Sequence, residues 1–268
     1  MLSIIVSSYQ EEYFTQFSEN IKETIGDDFQ YEIIQQWNPG LMGICEAYNK
    51  GAEKAKYDNL LFVHEDVLFE TENWGHILIN YLTNKENGCI GIAGSTYTPN
   101  VPFAWWDLHN SSFRHIQQYN KSTFIRSYIL KEDKKCQSLD GVFLACRKDV
   151  YNQYKFNNRI KEFHCYDIDF SNRVANDFQN IITSSILLKH FSEGSINNEW
   201  FQSLIKNKKY FKKPKNQLID KKREVYFFDC FIQYLNQFNF SKLAKIKLIL
   251  QYANPKFIGY KRILKLLK

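Results

Sequence analysis

Three short stretches of the chain gather side chains able to do chemistry: His64-Glu65-Asp66, Tyr166-Asp167-Ile168-Asp169, and His190. In an extended segment His64 and Asp66 alternate onto one side, so both could face a single ion. A carboxylate at a strand end, two residues from a second ligand, can hold a divalent cation against a diphosphate. Asp167 opens an expected helix, where the positive end of the dipole favours its charged, proton-accepting form. Each stretch also has a plain structural reading. An acidic strand end is commonly a solvated turn, a lone histidine is commonly structural, and Asp167 could be a simple N-cap.

The elements that would position these groups follow from periodicity. Leu2–Ser8 is a β-branched run that reads as a buried strand. Across 11–25, apolar residues at 13, 14, 17, 21 and 25 have helical spacing, stopped by Gly26. Tyr31–Trp37 reads as a second strand before an Asn38-Pro39-Gly40 turn, 42–55 as a helix, and Asn59–Val63 as a third strand. Strand, helix, strand, helix, strand implies βαβ units: an α/β fold with a central, mostly parallel sheet. Ligands of such sheets bind beyond the carboxyl ends of the strands. Ser8 and Tyr9, Asn38, and His64, Glu65 and Asp66 all fall at those ends. Further on, the sequence predicts a helix over 73–83, a strand over 89–94 and an irregular aromatic segment over 95–135. A strand at 138–147 beginning near Asp140-Gly141, a short helix at 148–154, a helix at 167–178 and a strand at 181–190 follow.

The 268 residues are 44% hydrophobic and 24% charged with 11 Gly and 5 Pro, which excludes a disordered, collagen-like or low-complexity chain. No apolar run approaches the ~18 residues of a membrane-spanning helix. The start, MLSIIVSSY, lacks the basic and small-residue features of a signal peptide. Six cysteines without a C-x-x-C pair read as reduced thiols, mostly in the core. A cytoplasmic protein is expected. Charge is unevenly spread: residues 201–268 carry 17 Lys+Arg against 3 Asp+Glu, whereas residues 1–200 carry 18 against 26. That asymmetry suggests a site in an acidic body and an electrostatic partner for a basic, helical extension, with the boundary near 200.

In this order, the motifs resemble the bacterial family-two glycosyltransferases of the GT-A fold. They are the first strand, Asn49-Lys50-Gly51, FVHEDV, Asp140-Gly141, YDIDFSNR, and a strand ending at His190 in HFSEGS. The resemblance spans about residues 2 to 200 and is nearest to the branch whose metal motif reads His-x-Asp-Val. It implies transfer of a sugar from a nucleoside-diphosphate-sugar, a UDP-sugar being favoured, to a saccharide or lipid-linked acceptor, with inversion, in surface polysaccharide synthesis. It further implies that Asp66, with His190, holds Mn²⁺ or Mg²⁺ on the donor diphosphate, and that Asp167 is the general base with Asp169 as a second candidate. His64 replaces the family's first Asp, and Tyr166 replaces its usual Glu. Ser8, Tyr9, Asn38, Asn49, His64 and Glu65 are expected around the donor, and Asp140, Trp105 and Trp106 around the acceptor. The nucleobase-reading Asp after the second strand is absent, with Trp37-Asn38 in its place.

Residues 241–268 carry eight Lys/Arg and no acid, interleaved with apolar residues and broken by Pro255 and Gly259. A basic amphipathic segment of this kind suits an anionic membrane surface, such as the inner face of the cell membrane, or packs its apolar stripe on the body. Two other functions fit the same residues: a metal-dependent nucleotide-sugar hydrolase, or a non-catalytic sugar-nucleotide binder. Nucleic-acid binding through KNKKYFKKPK (206–215) is disfavoured by the acidic body and the absence of a recognition motif.

Overall fold

In the computed structural model, which describes residues 1–106, 110–192, 194, 196–211 and 213–268, the first elements form where periodicity places them. They are β1 (Leu2–Ser8), α1 (Glu11–Thr24), β2 (Tyr31–Trp37), α2 (Ile44–Lys54) and β3 (Asn59–Val63). β1 lies between β2 and β3 and is parallel to both. Its side chains alternate between two cores: Ile4 and Val6 enter one with Leu61 and Val63, while Ile5 enters the other with Leu60 and Phe62. Burial on both faces is why these strands read as continuous apolar runs.

The chain continues through β4 (Val67–Phe69), α3 (Trp74–Thr83), β5 (Asn87–Gly91), β6 (Ala93–Ser95), β7 (Ser112–Arg114), β8 (Ile116–Asn120) and β9 (Thr123–Tyr128). Then come β10 (Lys134–Cys136), β11 (Ser138–Leu139), β12 (Phe143–Arg147), α4 (Lys148–Tyr154), α5 (Tyr166–Val174), β13 (Gln179–Ile182) and β14 (Leu188–His190). The main sheet has the order β10-β13-β5-β12-β3-β1-β2. It is mixed rather than mostly parallel, because β12 runs antiparallel to both β3 and β5, and β10 antiparallel to β13. An apolar strand buried on both faces reads alike in either direction, so the sequence pattern could not set its sense.

Two other expectations change. The 95–135 segment contributes β7 to β9, which build small sheets of order β11-β6-β7 and β4-β14-β8-β9 beside the main one. The single strand expected over 181–190 is two strands, β13 in the main sheet and β14 in the four-stranded sheet. All six cysteines stand outside any disulfide, five of them buried.

The basic extension is helical, as expected: α6 (Asn198–Asn207), α7 (Lys221–Gln237), α8 (Lys242–Tyr252), α9 (Pro255–Ile258) and α10 (Tyr260–Leu266). It shares a third core with the body. Trp200, Phe201, Phe227, Phe231, Ile249 and Ile263 pack in one cluster with Tyr97, Phe103, Trp105 and Ile168. Among the described residues no helix is long and apolar enough to cross a membrane.

Candidate active site

The site forms where β3 gives way to β4. The chain leaves the main sheet through His64-Glu65-Asp66 and enters the four-stranded sheet, where Val67 pairs with His190 of antiparallel β14. The Phe191 N–H donates to the Asp66 carbonyl at 3.0 Å and locks the register. Backbone pairing thus brings residues 124 apart in sequence side by side. Asp66 Oδ1 lies 3.8 Å from His64 Nδ1, and Asp66 Oδ2 lies 3.6 Å from His190 Nε2.

One ligand atom from each of the three residues can be chosen so that all lie within 4.8 Å of one another, close enough to share an ion. Burial opposes ionisation of Asp66, but the imidazoles of His190 and His64 outweigh it and hold its pKa below the ordinary carboxylate value. Burial pushes the His190 pKa down, toward the neutral, metal-binding form. Two imidazoles with one carboxylate fit Mn²⁺ better than Mg²⁺, which prefers oxygen ligands throughout.

His64 has a partner that fixes its orientation. Its Nε2 lies 3.0 Å from the hydroxyl of buried Tyr166. The Tyr166 ring packs edge-on against Tyr48, with centroids 5.7 Å apart, and the Tyr48 hydroxyl donates to the Val63 carbonyl at 3.4 Å. In the tautomer that carries its proton on Nε2, His64 donates to the Tyr166 oxygen and leaves its Nδ1 lone pair on the side of Asp66. Gly141 makes room for this arrangement, since a Cβ there would stand 1.8 Å from the Tyr166 hydroxyl oxygen. Tyr166→Phe should weaken Mn²⁺ affinity ~10–100-fold, as loss of such a partner typically does. Manganese titration followed by electron paramagnetic resonance checks this; unchanged affinity would show that Tyr166 plays no part.

Two cavities meet at this point. One, of about 640 Å³, is lined by Ser7, Tyr9, Gln10, Asn38, Glu65 and Asp66. The other, of about 440 Å³, is lined by Trp105, Trp106, Arg114, Asp140, Asp167 and Trp200. His64, Phe163, Tyr166 and Ser192 border both.

Several expected site residues lie in these walls. Tyr9 is exposed beside the larger cavity. Glu65 accepts from the Tyr9 and Gln10 N–H groups, each at 3.2 Å, and so shapes the turn between β1 and α1. The Asn38 carboxamide accepts from Met42 N–H and donates to Met42 carbonyl, bracing the 38–42 turn. In the smaller cavity, Trp106 stacks on Trp200 at 5.3 Å between centroids, and Asp140 Oδ1 accepts from Val142 N–H at 2.8 Å.

Asp167 also lines the smaller cavity, anchored by Gly141 N–H at 3.0 Å on Oδ2 and by Ile168 N–H at 2.9 Å on Oδ1. The expectation that a helix start would favour its charge is corrected. Burial, then the neighbouring Asp140, raise its pKa to about 7 against those backbone donors.

Three expected residues sit elsewhere. Ser8 is buried and accepts from Gln35 Nε2 on the side away from the cavity; with side chains alternating, Ser7 takes the lining position. Asn49 is a structural pin. It donates to Phe156 carbonyl and Asn158 Oδ1 and accepts from Tyr151 hydroxyl and Phe156 N–H, which satisfies the whole carboxamide. Its partner in the motif, Gly51, lets α2 approach β1, where a Cβ would stand 2.3 Å from the Ile5 Cγ2. Asp169 is buried outside both cavities in an ion pair with Arg173, at 2.8 Å. His115 is likewise structural, its Nδ1 accepting from Leu130 N–H at 3.0 Å. His109, and Glu193 and Ser195 of HFSEGS, lie outside the described residues.

Sequence reasoning missed Arg114, Gln118, His164 and Trp200 in the smaller cavity. Only Arg114 had a signal, as a lone cation among aromatic residues.

The sequence profile described as the glycosyltransferase-like family matches residues 3–222. The chain belongs to that family. The match carries past residue 200 into the helical extension, in keeping with the core the two parts share. A search of curated proteins finds no match. Among solved structures, GalNAc-T7 with UDP, GalNAc and Mn²⁺ aligns over 99% of this chain and 54% of its own, with a TM-score of 0.54 at 9% identity. TarS residues 1–349 from S. aureus, in complex with UDP-GlcNAc, aligns over 96% of this chain and 72% of its own, with a TM-score of 0.50 at 11% identity. These likenesses confirm the GT-A fold. The chain spans about half the length of the GalNAc-T7 structure.

Proposed function

We propose that the protein transfers a sugar from a nucleoside-diphosphate-sugar, a UDP-sugar in the first instance, to a saccharide or lipid-linked acceptor, with inversion and with Mn²⁺ as cofactor. The observation that carries this reading is the junction of the two cavities: a metal-competent His64–Asp66–His190 group at their meeting point, with Asp167 in the wall of the smaller one. A nucleotide lies in the larger cavity with its diphosphate toward Asp66, and the acceptor enters the smaller one. Asp66, His64 and His190 would hold the cation, which would offset the charge that develops on the leaving diphosphate.

The chain's own residues do the rest. Asp167 takes the proton from the attacking hydroxyl as that oxygen bonds to the anomeric carbon from the side opposite the leaving group. Tyr166 and Tyr48 hold the His64 ring; Glu65 and Asn38 hold the turns beside the nucleotide. Trp106 and Trp200 offer aromatic faces to sugar rings. Two other readings, hydrolysis of the donor and binding without turnover, differ in that neither depends on an acceptor.

The test is thermal stabilisation by UDP, GDP, CMP and dTDP, each with Mn²⁺ and with EDTA. The expected result is a rise in Tm for UDP that requires Mn²⁺. No shift for any nucleotide would reject the reading.

We also propose that α8 to α10 rest on an anionic membrane surface, which suits a lipid-linked acceptor and a place in surface polysaccharide assembly. Leu248, Ile249, Ile258 and Ile263 face the body, whereas Leu243, Leu250 and Leu264 are exposed among the lysines. Deleting 241–268 would strip core side chains, so substitution is the cleaner experiment. Three leucines entering lipid at ~1.5–3 kcal/mol each imply that Leu243→Ser, Leu250→Ser and Leu264→Ser together reduce vesicle binding at least about tenfold. Sedimentation with phosphatidylglycerol vesicles decides it, and equal binding by the triple variant would sink the membrane role.

A further inference from the structure

The smaller cavity is lined by a cation, Arg114, whose N–H groups its described walls leave largely unpaired. Trp105 is 6% exposed and lines the same cavity. Arg114 lies against the same ring, its guanidinium carbon 5.2 Å from the Trp105 centroid and 4.7 Å from that of Tyr128. Of its five N–H groups, the described structure pairs one, from Nη2 to the Trp106 carbonyl at 3.1 Å. No ion pair engages it among the described residues, while Asp140 and Asp167 in the same cavity are each held by backbone N–H groups.

A guanidinium can only donate. A sugar hydroxyl at the guanidinium brings a donor of its own beside its lone pairs. A carboxylate or a phosphate ester brings acceptors alone, and the guanidinium fork matches either with paired bonds. Beside aromatic rings of low polarity, attraction between Arg114 and an anion is stronger than in open water.

We propose that this cavity binds a sugar carrying an anionic group, a carboxylate or a phosphate ester, received by the Arg114 guanidinium where it is held between the Trp105 and Tyr128 rings. The inference rests on the reading of the cavity as the acceptor pocket, and it narrows the acceptor to an acidic saccharide.

The experiment titrates the full chain, with UDP and Mn²⁺ present, with methyl glucoside, methyl glucuronide and glucose 6-phosphate, followed by ligand-observed NMR. At least one anionic probe binds at least tenfold tighter than the glucoside, and the two anionic arms tell carboxylate from phosphate. Arg114→Gln abolishes the preference, and Tyr128→Leu, which removes the ring that holds the guanidinium, reduces it. UDP affinity is unchanged in both. Equal binding of all three sugars, no binding of either anionic probe, or a preference that survives Arg114→Gln overturns the inference. UDP binding is read separately, so failure of the donor reading shows there and not in the sugar preference. If Arg114→Gln does not fold, Arg114→Lys retains the charge without the fork, and the wild-type comparison still decides.

Discussion

Replacing Asp167 by Asn lowers turnover ~10²- to 10⁴-fold, the range a positioned general base contributes, while UDP affinity stays within about twofold. Asparagine keeps the shape of the side chain and its place in the cavity wall but cannot take a proton. The pH profile carries a second signature. The base works only when ionised, and burial together with Asp140 raises the Asp167 pKa to about 7. Below that pH the carboxyl is protonated and turnover falls tenfold per unit; above it the rate levels off. An unperturbed aspartate, with a pKa of about 3.9, would leave the rate flat across pH 5 to 8. The variant loses the inflection near 7 along with its activity. Steady-state rates from pH 5 to 9 with both proteins measure this. Near-full activity of Asp167→Asn, or a wild-type profile flat through 7, would remove Asp167 from the reaction.

That prediction depends on an environment the sequence did not display. The apolar run of β3 and the aspartate at the start of α5 are visible as residues. The burial of Asp167 beside Asp140 arises only when the β11–β12 turn folds against α5, where Gly141 N–H meets Asp167 Oδ2. A local pattern records the helix dipole, which lowers a carboxylate pKa, but not the desolvation that overrides it. The same limit explains Asn49 and Asp169. Each is a polar residue beside a site motif, and each is satisfied by partners far along the chain or one turn away: Phe156 and Asn158 for Asn49, Arg173 for Asp169. Polar type alone does not tell a structural pin from a ligand. By contrast, β1, β2 and β3 were legible to the residue: burial on both faces leaves β1 and β3 as continuous apolar runs with sharp ends, and β2, the half-buried edge strand, is bounded by its Asn38-Pro39-Gly40 turn. His64 and Asp66 were legible for the same reason, as the first polar groups beyond such a run. His190 was legible as a strand end, but its strand belongs to a different sheet from the one expected, and that pairing is what places it against Asp66.

Asp66 lies within 4 Å of both histidines and brings the carboxylate of the group, so its loss should do most damage to cation binding. In Asp66→Ala the two imidazoles remain but the sole anionic ligand goes, and with it the charge that offsets a divalent cation. Losing an outer partner of a metal ligand costs ~10–100-fold in affinity, so losing the carboxylate itself should cost more than ~100-fold. UDP then loses the Mn²⁺-dependent part of its affinity and binds equally with Mn²⁺ or EDTA. Turnover falls as well, since the charge developing on the diphosphate goes uncompensated, a loss of several kcal/mol. Asp66→Asn separates charge from shape: it keeps an oxygen at the same place but is neutral, and it should fail nearly as badly. Calorimetric titration of UDP into wild type and both variants, with and without Mn²⁺, reads the difference directly. Mn²⁺-dependent UDP binding that survives in Asp66→Ala would place the cation elsewhere in the cleft, and the His64–Asp66–His190 group would then be a structural charge cluster joining β3 to β14.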